Sequence, residues 1–159
     1  MNFCALKAVW KDLRGAALIE GAILLPVLFV LIFGVFEFSW YFYNQHRVST
    51  GIRDAARYIA RSHNSFSDPT LQANAKNLAT MGDVSGGTPR VAGWTASDVV
   101  ISISAPVVCA PVACRGGPMQ DVVVSTSFTP TNLGFLQFLQ LGPFAINITH
   151  TERLVTGGS

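Results

Sequence analysis

From Gly21 to Phe36 the chain reads Gly-Ala-Ile-Leu-Leu-Pro-Val-Leu-Phe-Val-Leu-Ile-Phe-Gly-Val-Phe, without one charged or hydrogen-bonding side chain. As a helix this run rises roughly 24 Å, somewhat less than a bilayer core of about 30 Å. Residues 16–19 on one side and 38–43 on the other make up the difference. A helix apolar on every face has to be buried all round, and the rest of a 159-residue chain offers too little core to bury it. Membrane insertion follows, with membrane lipid as the first partner. A secretory signal peptide is the competing reading, but no small-x-small cleavage site follows the run. Bulky residues continue instead, and Trp40, Tyr41 and Tyr43 suit an interfacial belt. Glu37, at the outer end of the run beside Trp40, is explained by the same interfacial placement. Pro26 removes one backbone hydrogen bond inside the run and is expected to bend it.

Beyond the apolar run the helix is expected to go on, with a different face pattern. Val48, Ile52, Ala55, Ala56 and Ile59 fall on one side at helical spacing, and Arg53, Arg57 and Arg61 fall roughly opposite, as a solvated stripe. An unbroken helix over 16–62 would be about 70 Å long, half in lipid and half laid on a domain. Ser67-Asp68-Pro69 is a helix start, with Asp68 or Ser67 as the cap; Leu71, Ala75, Leu78 and Ala79 form the apolar side of a helix ending at Gly82. Residues 83–97, rich in Gly, Ser and Thr and containing Trp94, read as a loop.

The remainder has strand character. Val99, Ile101 and Ile103 alternate with Val100, Ser102 and Ser104; Val122, Val124, Thr126 and Phe128 alternate with Val123, Ser125 and Ser127. These two runs pair as antiparallel strands. Phe144, Ile146 and Ile148 begin a third, ending near Leu154, and residues 133–141 form either a short helix or a packed loop. Three strands with one apolar face need a cover, which the amphipathic half of the long helix supplies. The fold class is therefore α+β: a long N-terminal transmembrane and amphipathic helix packed on a small antiparallel sheet.

Two residues set the apolar run apart from an ordinary anchor. Glu20 stands five residues beyond Gly15, and a short basic leader, Lys7, Lys11 and Arg14, precedes that glycine. Basic leader, Gly, four apolar residues, Glu and a long apolar helix together resemble the type IV prepilin processing site, cut between Gly15 and Ala16. Arg14-Gly-Ala-Ala-Leu-Ile-Glu20, then Pro26, Phe33-Gly-Val-Phe-Glu-Phe38 and Ala55-Ala-Arg-Tyr58 narrow the resemblance to the TadE-like pseudopilins of Tad (Flp) pilus systems. It covers residues 14–61 well and the rest only loosely. The organisation it implies is a leader at 1–15, a transmembrane helix at 16–43, a helix continuation and second helix at 44–82, and a periplasmic β-rich head at 83–159, pilin-like in outline. It implies a prepilin peptidase, other pilin and pseudopilin subunits and pilus assembly machinery as partners. Glu37 matches a glutamate of the same pattern and is a candidate assembly contact.

A carboxylate in hydrocarbon costs about 2–3 kcal/mol or more at a helix centre, so Glu20 needs either the interface or a partner. Cleavage after Gly15 frees a cationic α-amine on Ala16, one helical turn away. Glu20 can pair with that amine in its own subunit or in a neighbour, which sets the register between subunits.

Only 13% of residues are charged, as befits an anchored chain, and the net charge is +2. Removing the leader takes away Lys7, Lys11, Arg14 and Asp12 and leaves eight basic and eight acidic side chains, so no electrostatic case for nucleic acid remains. Cys109 and Cys114 lie in a Pro- and Gly-rich loop; they form a disulfide in an oxidising compartment or stand as free thiols in a turn. Basic residues flank both ends of the apolar run, so the positive-inside count is a draw. Leader-in, head-out orientation in a bacterial inner membrane rests on the cysteine pair and on the resemblance. His46, His63 and His150 lack metal-ligand spacing, and no nucleophile elbow or phosphate-cradling loop is present. No enzyme, cofactor, metal or small-molecule substrate is expected. The main expectation is a minor pilin-like subunit processed after Gly15 and associated with a surface pilus. The rival is an uncleaved single-pass envelope protein whose head scaffolds or binds a partner.

Overall fold

The computed structural model describes residues 13–62, 68–105, 120–131, 134–141 and 143–154. Cys4, Cys109, Cys114 and most of the leader lie outside the described residues. One helix, α1, runs from Leu13 to Arg61 and passes through Pro26 uninterrupted. Helix α2 spans Pro69–Met81, and a single 3-10 turn at Ala96–Asp98 leads into strand β1, Val99–Ile103. Strand β2 is Asp121–Phe128, the short helix α3 is Phe135–Phe138, and strand β3 is Ile146–Arg153. The sheet order is β1-β2-β3, antiparallel throughout, with Val99 opposite Thr126 and Phe128 opposite Ile146.

The α+β architecture is the one its side-chain periodicities demand. Val48, Ile52, Ala55, Ala56 and Ile59 are all buried and lie over Val99, Val122, Val124, Phe128 and Ile146 from the sheet. Alternation is strict along β2, whose even-numbered residues face this core. Each large side chain fully buried there contributes about 1.5–3 kcal/mol through removal of apolar surface from water. Phe144 departs from expectation: it precedes β3 and is half exposed, so the strand begins two residues later.

Helix α2 begins and ends on the expected residues. The Thr70 amide donates to Asp68 Oδ1 at 2.9 Å, Pro69 occupies the first turn, and Gly82 closes the helix at φ 84° with its amide on the Leu78 carbonyl. Leu71, Ala75 and Ala79 are buried as the pattern requires. Leu78 is only half-buried, while Thr80 is buried and satisfies its hydroxyl on the Lys76 carbonyl at 2.9 Å.

Trp94, read in the sequence as part of a polar loop, is the largest fully buried side chain among the described residues. Its indole stacks on Phe128 with centroids 5.8 Å apart and donates Nε1–H to Thr126 Oγ1 at 3.0 Å. Thr126 in turn donates to the Asp98 carbonyl at 2.9 Å. The 3-10 turn presents this tryptophan because Thr95 and Asp98 cap each other: the Thr95 amide and hydroxyl both donate to Asp98 Oδ2. The signal for burial was available in the residue type, since a solitary Trp among Gly, Ser and Thr is too costly to leave in water.

At Gly51, α1 lies close against the end of α2. A Cβ built there meets the Ala79 carbonyl oxygen and lies 2.9 Å from the Trp94 ring. Backbone on one side and a locked indole on the other leave nothing flexible to yield. Gly51→Ala is therefore expected to destabilise the head by about 1–3 kcal/mol, measured as a lowered urea midpoint followed by Trp94 fluorescence, despite alanine's better helix propensity.

Candidate functional site

The first half of α1 stands apart from the head. Its most apolar window has a mean hydropathy of 2.6, is long enough to cross a membrane, and has none of its residues buried. Gly15 and Ala16 lie in its first turns, and Glu20 projects exposed one turn further on. Glu20 makes no ion pair with any described side chain. A Cβ added at Gly15 meets nothing within 4 Å, so no packing contact in the described chain requires glycine there. Gly21 and Gly34 are equally open.

The other end of the span is a junction with the head. Glu37 does not reach outward to the interface; it is 2% exposed and turned into its own subunit. Its Oε2 accepts the Phe135 amide at 3.4 Å, long for a hydrogen bond, at the start of α3. Beneath it lies a cavity of about 110 Å³ bounded by Trp40, Tyr41, Pro130, Leu136 and Phe144. The aromatic belt is partly diverted to the same task. Trp40 Nε1 donates to the Thr131 carbonyl at 3.2 Å, and the Tyr41 hydroxyl donates to the Ala145 carbonyl at 3.3 Å. One turn lower, the rings of Phe33 and Phe135 meet with centroids 5.4 Å apart. Tyr43 is exposed, stacked on Trp40 with Arg47 over its face at 5.5 Å from the ring centre. Thr131, Phe135 and Ala145 are thus each fastened to α1.

No spacing rule exposes this clasp in the sequence. Glu37, Trp40 and Tyr41 each look interfacial by type and position, and the backbone groups they meet lie about a hundred residues downstream. Within the ambiguous stretch, the described residues 134–141 contain the single turn α3.

Of the arginine stripe, Arg53 bonds Ser49 Oγ at 3.0 Å, and Arg57 lies 3.5 Å from Glu152 on β3. Arg90 reaches Asp54 at 2.9 Å and ties the loop after α2 to α1. Glu152 also accepts from His150 Nε2 at 3.1 Å. That bond, and after it the Arg57 guanidinium, hold the Glu152 carboxyl below its ordinary value despite partial desolvation. No group of three or more His, Cys, Asp or Glu among the described residues is arranged to hold a metal ion.

Residues 15–57 match the family model described as TadE-like protein. The match begins at the glycine singled out above, takes in Glu20 and Glu37, and ends within the amphipathic half of α1, before the second helix and the sheet. Compared with curated proteins and with solved structures, the chain matches none. Over that stretch the chain is similar to TadE-like proteins, and the same stretch holds the exposed helix that is long and apolar enough to cross a membrane.

Two outcomes are expected. Glu37→Leu removes the acceptor of the Phe135 amide and should weaken the clasp by about 1–3 kcal/mol. Hydrogen exchange at residues 135–139 should accelerate while β2 stays protected; Glu37→Gln, which keeps an acceptor, should change less. The second outcome concerns pH. Because the Glu152 carboxyl is lowered in the folded chain, its contribution to stability is complete above the unfolded value, near 4.5, and is lost as pH falls through the folded one. Glu152→Gln should therefore flatten the acid limb of a stability–pH curve below about pH 4.5, by a small amount, since both partners are solvent-accessible.

Proposed function

We propose that this chain is a minor pilin-like (pseudopilin) subunit needed for assembly of a Tad/Flp-type pilus, and that a prepilin peptidase cuts it between Gly15 and Ala16. The observation that carries the proposal is Glu20, an acid exposed on an otherwise apolar helix one turn from that bond. Cutting there supplies what the acid lacks. The new α-amine on Ala16 is cationic and sits about 6 Å along the helix axis from Glu20. It neutralises the carboxylate within one subunit, or across two when apolar helices pack side by side.

The apolar half of α1 holds the product in the bacterial inner membrane before assembly and packs against other pilin helices afterwards. The head faces the periplasm, an oxidising compartment in which Cys109 and Cys114 join as a disulfide. We assign the protein no catalytic role: its work is to present a helix and a head to the pilus assembly machinery.

The test is direct. Mass spectrometry of the membrane-extracted chain, from cells containing the cognate peptidase, should find an N-terminus at Ala16. Gly15→Leu should abolish that species while leaving the melting of the head unchanged, since a side chain at Gly15 meets nothing described within the chain. An intact leader in wild-type protein under these conditions leaves only the rival, an uncut anchor bearing a partner-binding head.

A further inference from the structure

We infer that residues 134–141, with Phe144, form a second membrane contact, an interfacial wedge that lies among the lipid acyl chains beside the spanning helix. The inference rests on the anchoring of the chain in a bilayer and is independent of its processing. Three observations carry it.

The first is depth. The ring of Phe135 meets that of Phe33 at 5.4 Å between centroids, and α3 borders an open apolar groove along the face of α1 from Val30 to Phe42. Phe33 lies about 6 Å down the helix axis from Glu37, inside the uncharged run. Wherever a bilayer core of about 30 Å is placed over that run, α3 falls within its edge. The surface of α3 is thus continuous with the surface that the anchor presents to lipid.

The second is chemistry. Phe138 is 82% exposed, Leu141 53% and Phe144 48%, all in one short segment. Left in water, three such side chains make an apolar surface that soluble chains seldom carry without a partner. Between Asp121 and Glu152 there is no Asp, Glu, Lys or Arg at all, so nothing in the segment opposes entry into lipid by its charge. Gln137 and Gln140, both exposed, limit the depth: their amides stay within reach of the headgroup zone when the segment enters about 5–10 Å.

The third is backbone closure. Irregular chain enters an apolar medium only where its amides are satisfied. Here the Phe138 and Leu139 amides donate to the Gly134 and Phe135 carbonyls. Gln140, left-handed at φ 58°, then ends the helix: its amide returns to Gln137 and that of Leu141 to Leu136, at 3.0 and 2.9 Å. Those two bonds form a complete Schellman closure, with Leu136 and Leu141 at the positions that meet in such motifs. The Phe135 amide is taken by Glu37.

The test uses the full chain in vesicles of phosphatidylethanolamine and phosphatidylglycerol, with the photoreactive residue p-benzoylphenylalanine in place of Phe138. The same residue replaces Leu28 in the middle of the span as a positive control, and Val100 on the outer face of β1 as a negative one. Irradiation and mass spectrometry should find phospholipid adducts at 138 in a yield close to that at 28 and at least about tenfold above that at 100. A yield at 138 no higher than at 100 overturns the inference, as do adducts to a second copy of the chain in place of lipid. Absence of lipid adducts at 28 overturns the anchoring itself, so the two failures are told apart.

Discussion

Two carboxylates, Glu20 and Glu37, bracket an uncharged run whose length falls short of the bilayer it has to cross. Seventeen helical steps separate them, roughly 25 Å against a core of about 30 Å. They cannot both stand clear of the hydrocarbon edge unless the bilayer thins or the side chains bend outward. Leaving an acid unpaired there is expensive. The chain answers this constraint differently at its two ends, and much of its organisation follows from the difference.

At the head end the answer is internal. Glu37 turns into its own subunit, meets the amide that opens α3, and lies among Trp40, Pro130 and Leu136. A buried carboxylate is tolerable only when its oxygens are satisfied, and no buried side-chain oxygen or nitrogen among the described residues lacks a partner. The cost of sheltering Glu37 is thereby converted into a fastening. Trp40 and Tyr41 add two more bonds to the same segment, so the head is held to α1 at the membrane surface as well as along Val48–Ile59. Helix and head meet over two turns of clasp and three of core. Such a junction leaves little freedom for the head to swing about its anchor.

The elements whose logic is local were legible in the sequence. The apolar run, the change to an amphipathic face near residue 48, the Asp68-Pro69 start and Gly82 stop of α2, and the alternation of β1 and β2 each depend on spacing within a dozen residues. What the sequence concealed depends on contacts between distant residues. Trp94 stands in a loop by composition and in the core by packing on Phe128; Gly51 looks like a mild helix flaw until Ala79 and Trp94 are placed against it. Glu37 and Tyr41 carry the right chemistry for an interface, and only the return of Phe135 and Ala145 shows that the head claims them first. Phe144 misled for the opposite reason: it keeps the alternation of β3 while lying outside the strand, with its ring edge-on to Tyr41. The proposed processing site, Gly15 with Glu20, is read from spacing alone, because a linear recognition sequence would need no fold to be recognised.

The N-terminal end offers no internal answer of the kind found at Glu37. No segment of the described head reaches Glu20, and the residues around it are small or aliphatic. Any charge that meets this acid has to come from the chain's own terminus or from another molecule. A protein built to remain alone in the bilayer gains nothing from that arrangement, since an apolar residue at the same position removes the difficulty outright. The acid makes physical sense when a positive group is delivered to it at a defined height, and a freed amine at Ala16 or its copy on a neighbour is such a group. On this view the two ends divide the work: Glu37 fixes the subunit to itself, and Glu20 is left open for what the subunit joins.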